Sequence, residues 1–145
     1  MAWKEKIRHW CARGERSKSE VLAKMKRLGA HEGEAVEMLK TLENEGFVDE
    51  IRFIEAFIHD HFLLKNWGPR KLYDALLKKG CKSGLIDPII SKLSEVEVEK
   101  ALKRTINSRF KLYPDEHKTN RERFIRYLQN RGYTLDNILS ALSRL

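Results

Sequence analysis

Large apolar residues recur along this chain in step with three glycines, Gly29, Gly80 and Gly132, which lie 51 and 52 residues apart. Eight and seven positions before each glycine stand Val21 and Leu22, Leu72 and Tyr73, and Phe124 and Ile125. Four positions before stand Met25, Leu76 and Leu128, and after the glycines come Val36, Leu39 and Leu42, then Ile86, Ile90 and Leu93, then Ile138, Leu142 and Leu145. Spacings of three, four and seven are those of one face of an α-helix, so each glycine has a helix on either side. A further apolar pair lies upstream each time: Trp3 and Ile7, Ile54 and Ile58, Ile106 and Phe110. No stretch alternates as a half-buried strand would. The pattern predicts an all-α chain of three tandem three-helix repeats, residues 1–48, 49–94 and 95–145. Units this small bury too little alone and must pack on one another. The expected form is an elongated, curved, right-handed or solenoid-like array, which offers an extended surface instead of one deep pocket.

Polar residues mark where the helices start and stop. Twelve positions before the glycines come Ser17, Gly68 and Asn120 as N-caps. Ser17-Lys18-Ser19-Glu20 has the form of a capping box. Gly68-Pro69 puts proline at the first helical position, where its missing N–H costs nothing. Asp49 and Ser94-x-x-Glu97 open the first helices of the second and third repeats, the last of them longer. The three glycines fit the residue just past a helix end, which needs a left-handed backbone. They read as helix stops, not ligand cradles. Pro88 sits awkwardly in the third helix of its repeat if Ser83 is the cap. That helix is expected to start later, from Asp87, or to open with a tighter turn.

Composition narrows the function. Charged residues make up 34% of 145 residues and no apolar run approaches the roughly 20 residues of a membrane span. The start, Met1-Ala2-Trp3-Lys4-Glu5-Lys6, lacks an apolar secretory core, and Cys11 and Cys81 are too few for a disulfide framework. A cytoplasmic protein is expected. The net charge is +8, with 10 basic and 8 acidic residues in the first repeat, 8 and 6 in the second, and 11 and 7 in the third. A positive excess spread along an array suits a long polyanion or an acidic groove, and equally suits cations that merely solvate helix faces.

Candidate chemistry is sparse. There is no phosphate-loop motif. His59 and His61 are two apart and face different sides of a helix, so they make a poor metal pair. The two cysteines fall at packing positions. Neither a catalytic set, a cofactor site nor a metal site can be assembled, and the chain is expected not to be an enzyme. The second helix of each repeat, by contrast, carries cations at similar register. They are Arg16, Lys24 and Arg27, then Arg70, Lys71, Lys78 and Lys79, then Arg121, Arg123, Arg126 and Arg131. A strip of such residues can meet phosphates, lysine as a point charge and arginine as a fork. Tyr73, Tyr127 and Tyr133 could stack on bases, but their register favours the core.

Four ordered segments resemble the RecX family, bacterial regulators of the RecA recombinase. They are Arg16-Ser17-Lys18-Ser19-Glu20-Val21-Leu22-Ala23-Lys24-Met25; Gly46-Phe47-Val48-Asp49-Glu50-Ile51-Arg52-Phe53; Gly68-Pro69 with Leu76-Leu77-Lys78-Lys79-Gly80; and Arg131-Gly132-Tyr133. Phe47-Val48, Met25 and Ile54 depart from the family's usual residues. The resemblance implies a modulator lying in the groove of the RecA–single-stranded-DNA filament, hindering ATP turnover and strand exchange and limiting filament growth or stability. The implied partners are RecA and the DNA phosphates, with no membrane, and the chain itself a monomer. A general single-stranded-DNA-binding array is the alternative. Arg52 sits three residues after Asp49, where a local ion pair is one reading and a partner contact the other. With it, Arg16, Lys24, Arg27, Arg70, Lys71, Lys78 and Lys79 are the expected partner or DNA contacts.

Overall fold

The computed structural model describes residues 2–145, and every regular element among them is helical. The helices are α1 (Ala2–Ala12), α2 (Lys18–Arg27), α3 (Glu32–Asn44), α4 (Glu50–Ile58), α5 (Pro69–Lys78), α6 (Ser83–Ile90), α7 (Glu95–Leu112), α8 (Glu116–Thr119), α9 (Arg121–Asn130) and α10 (Leu135–Leu142). A π-helical turn, His59–Leu63, extends α4 and has no signature in the apolar pattern. The short α8 is likewise unforeseen.

The local signals explain these boundaries. Ser17 caps α2 reciprocally: the Glu20 N–H donates to Ser17 Oγ (3.1 Å) and the Ser17 N–H to Glu20 Oε1 (3.0 Å). Asp49 Oδ1 accepts from the Arg52 N–H (3.0 Å), and Asn120 Oδ1 from the Arg123 N–H (3.3 Å). Ser94 Oγ accepts from the Glu97 N–H, but the Glu97 carboxylate answers to the Ser94 hydroxyl (3.1 Å) and not to its backbone. Helix α6 starts at Ser83 despite Pro88, and Asp87 is not its cap. Its first carbonyl, Lys82 O, accepts from both Leu85 and Ile86 (3.0 and 3.1 Å), a tightened opening turn.

Each of the three glycines ends its helix in the same way. Gly29, Gly80 and Gly132 have φ of 103°, 85° and 104°. The next residue donates back to the carbonyl five residues earlier: Ala30 to Met25, Cys81 to Leu76, and Tyr133 to Leu128. All six of these residues are buried, so the stop is closed by an apolar contact as well as by hydrogen bonds. Val21, Leu72 and Phe124, eight before the glycines, and Ala35, Ile86 and Ile138, six after, are fully buried too. In the first repeat Ala35 therefore takes the inward place expected of Val36, which is exposed. Gly46 (φ 82°) is a fourth stop of the same kind, ending α3.

The chain packs as two compact units: residues up to Ala56 with Leu76–Ile86, and Phe57–Ala75 with Asp87–Leu145. In the first unit, the stop of α5 lies against the start of α2. A Cβ on Gly80 would come 2.0 Å from Ser19 Oγ. In the second, the stop of α9 lies against the start of α5, more tightly. The Gly68 N–H donates to Arg131 O (2.7 Å) and the Arg70 N–H to Gly132 O (3.1 Å). A Cβ on Gly68 would meet Gly132 O at 2.3 Å, and one on Gly132 would meet Lys71 N at 2.7 Å. Two backbones touch there, which only glycine on both sides permits. The second unit is also fastened by Glu116, which accepts a two-pronged bond from Arg109 (2.8 Å each) and a third contact from Arg123 (3.1 Å).

Candidate functional site

The structure divides the eight expected contact residues into four kinds. Arg16 and Lys24 flank the half-buried Trp10, with the guanidinium 4.2 Å and the ammonium 5.6 Å from its ring centre. Arg16 also donates to Trp10 O (3.3 Å), so it closes the end of α1. Arg52, Lys79 and Arg70 are paired with carboxylates. Arg52 Nε reaches Glu15 (2.7 Å) and its Nη2 donates to Gly46 O (2.9 Å). The ion pair considered for Arg52 is thus made with Glu15, while Asp49 takes only its backbone N–H. Lys79 Nζ lies 3.5 Å from Glu20, and Arg70 Nε 3.8 Å from Asp74. Arg27 and Lys78 are exposed and have no ion pair among the described residues.

Glu20 joins the cap of α2 to Lys79. Burial pushes its carboxyl up, but the Ser17 N–H and Lys79 outweigh that and hold it below the usual value. The buried thiols go the other way: burial raises Cys11, and Cys81 is pushed up to about 11. Both are protonated packing residues at neutral pH. Among the described residues no three His, Cys, Asp or Glu side chains come close enough to hold a metal ion. No helix among them is long and apolar enough to cross a membrane.

Lys71 belongs to a different setting. Its ammonium lies 4.2 Å above the Trp67 ring, in the loop joining the π-turn to α5. That loop is pinned on several sides. Arg131 Nη2 donates to Lys65 O, Arg104 Nε to Asn66 Oδ1 (2.9 Å), and Tyr133 Oη to Asn66 O (2.6 Å). Asn66 is held at φ 55°, a conformation asparagine tolerates better than most residues. Below the loop, His61 stacks on Phe57 (3.9 Å) and lies 4.5 Å from Trp67. The His61 Nδ1–H donates to Phe57 O (2.8 Å). Lys65, Lys71, Arg104 and Arg131 thus gather at one loop, and none has an ion pair among the described residues. Burial, Arg131 and Lys65 together lower the Lys71 ammonium below its ordinary value. Helical register indicated Lys71 and Arg131 separately. It gave no sign of Lys65 or Arg104, which reach the site from a loop and from α7. A groove of about 310 Å³ between α7 and α10, lined by Val96, Ile106 and Ala141, contains none of the eight expected residues.

A regulatory protein RecX from Thermus thermophilus is 31% identical over 110 residues, spanning 76% of this chain and 69% of that protein. The chain belongs to the RecX family of regulatory proteins. Two further RecX proteins align over more of it. That of Halorhodospira halophila is 28% identical over 90% of this chain and 80% of its own length, and that of Acinetobacter baylyi 28% over 92% and 81%. No family model matches the chain. Among solved structures, RecX from Lactobacillus salivarius superposes with a TM-score of 0.84 over 99% of this chain and 94% of that one, at 16% identity. A second RecX crystal structure gives 0.85 over 97% and 72%, also at 16% identity. The fold is therefore that of RecX, with side chains largely exchanged.

Proposed function

We propose that this RecX-family chain is a non-enzymatic, cytoplasmic regulator of the RecA recombinase. It acts as a monomer, occupying the groove of the RecA–single-stranded-DNA filament. From there it suppresses ATP turnover and strand exchange and limits filament growth or stability. The observation that carries this reading is membership of a family of regulatory proteins, reached by sequence over most of the chain. Three repeats, 1–48, 49–94 and 95–145, would each present their second helix to the filament, and several weak contacts would add through multivalency. Arg27 and Lys78 are the most available of the expected cations, because they are exposed and neither a carboxylate nor an aromatic ring engages them among the described residues. Arg16, Lys24, Arg52, Arg70 and Lys79 would contribute only where their present partners let go, whereas Lys71, which lies over an aromatic ring and faces no carboxylate, is available as it stands.

The test is a titration of the DNA-dependent ATPase of the cognate RecA with this chain. Hydrolysis is expected to fall at substoichiometric amounts, because one bound regulator obstructs a run of protomers. Hydrolysis that stays constant across the titration overturns the proposal.

A further inference from the structure

The two places where one repeat's glycine stop meets another helix's start share a packing plan and differ in charge. In the first unit, Lys79 precedes the stop Gly80 and faces Glu20 on α2 at 3.5 Å. In the second unit, Arg131 precedes the stop Gly132, and the residue in Glu20's place on α5 is Lys71. Both Glu20 and Lys71 stand nine positions before their own repeat's glycine. A salt bridge at one junction is thus replaced by two like charges at the other. Lys65 adds a third cation, and Arg104 a fourth at the edge.

We infer that Lys65, Lys71 and Arg131, with Arg104 beside them, form a binding site for a chain of phosphates. Like charges held together in a partly dehydrated place repel, and a fold keeps such an arrangement cheaply only where an anion visits it. Three cations around one loop match an anion of two or three charges within a short reach. A run of phosphates supplies that, whereas a single carboxylate does not. The loop is pre-organised by its bonds to Arg104, Arg131 and Tyr133, so little ordering is left to do on binding. The Gly68–Gly132 backbone contact fixes the distance between the two elements that carry Lys71 and Arg131. The site stands on this geometry; that its phosphates are those of single-stranded DNA rests on the function proposed above.

The decisive variant is Lys71→Glu, which recreates the first junction's pair. It is expected to melt no lower than the wild type and to lose phosphate binding. Binding is read without RecA, by anisotropy of a labelled oligo-dT 20-mer between 50 and 200 mM salt. Lys65→Ala, at an exposed position, serves as a second variant, and the pair Lys92→Ala/Lys118→Ala as a control for net charge. Lys71→Glu should weaken binding roughly tenfold or more, and Lys65→Ala should flatten the salt slope by about 0.7, the single-strand value for one phosphate. In a Trp3→Phe/Trp10→Phe background, saturation should also change the emission of Trp67, whose ring carries Lys71. Competition by inorganic tripolyphosphate at matched charge would make a free phosphate chain the ligand, and resistance to it would make the DNA backbone the ligand. Either supports the site. It is overturned if Lys71→Glu and Lys65→Ala bind no more weakly than the control pair. It is also overturned if polyglutamate binds as tightly as the oligonucleotide, which would assign the cluster to an acidic protein surface. Because RecA is absent, either failure leaves the ATPase test standing.

Discussion

Gly29 and Gly132 stop their helices with nearly the same backbone, φ 103° and 104°, but in different company. A Cβ built on Gly29 meets nothing within 4 Å. One built on Gly132 meets Gly68 O and Lys71 Cβ, both at 2.6 Å. Gly29→Ala should therefore cost only the left-handed strain of an L-residue, about 1–2 kcal/mol. Gly132→Ala adds the separation of two backbones. Forcing an extra carbon into packed structure costs roughly 1–3 kcal/mol. The two hydrogen bonds across the contact, Gly68 N–H to Arg131 O and Arg70 N–H to Gly132 O, are worth about 0.5–1.5 kcal/mol each if lost. Subtracting one variant from the other cancels the shared strain and leaves about 2–6 kcal/mol for the close approach. Urea unfolding of both variants, analysed at constant slope, measures the difference. In thermal melts it corresponds to roughly 2–4 °C for each kcal/mol in a chain this long. Gly80→Ala should fall between them, because the nearest atom it meets is the Ser19 hydroxyl, which can rotate away, while Ser19 Cβ at 3.1 Å has to shift slightly. Equal costs at Gly29 and Gly132 would refute the idea that glycine is required at Gly132 for packing as well as for turning the chain.

Glu116 is nearly buried between Arg109 and Arg123, and the Arg109 hydrogen bonds hold its carboxyl below the ordinary value. A depressed folded pKa gives stability that is present above the unfolded value of about 4.3 and lost as pH falls through the folded one. Glu116→Gln should thus cost on the order of 2–3 kcal/mol at pH 7, with the gap to wild type closing in melts taken near pH 3. Cys81, buried and pushed up to about 11 by burial first and then by Glu50 and Glu20, should react with a thiol reagent at pH 8 only as fast as the protein opens. Labelling at the rate of a free thiol would contradict its packing role.

What could be read from sequence was local. Helix stops and caps lie within a few residues of the groups they satisfy, so Ser17-x-x-Glu20, Asp49, Gly68-Pro69 and the three spaced glycines announce their own geometry. The apolar register found the buried positions because a helix face repeats every three or four residues. It misplaced two: Val36 and Leu145 are exposed, and the small Ala35 fills the inward place beside Val36. The partners of the cations were not legible. Arg52 pairs with Glu15 and Arg104 with Asn66 across 37 and 38 residues, and Arg131 reaches Lys65 across 66. Such pairs depend on which helix end meets which, a property of packing that periodicity within one helix does not carry. The same holds for Arg16 and Lys24. Their register suggested an outward strip, while the side chains lie along Trp10.

The repeat links stability and recognition more closely than its spacing suggests. Gly29 only turns the chain, whereas Gly80 and Gly132 turn it and also let the start of another helix approach. That approach sets which side chains confront each other across the junction, namely the residue before one stop and the residue nine before another. With a lysine and a glutamate in those places, as Lys79 and Glu20, the junction is electrostatically closed and contributes to folding alone. With Arg131 and Lys71 there instead, the same geometry leaves charge unspent beside a pinned loop. A single exchange of sign at a fixed register can therefore turn a structural contact into a binding one without moving the backbone. The cost is a modest loss of intrinsic stability, small against the several kcal/mol that hold a domain of this size together. Conserving the helix register while varying the sign at those two positions would let a family keep one fold and redistribute its contacts along it. That is consistent with superposition of this chain on RecX structures with which it shares only 16% of its residues.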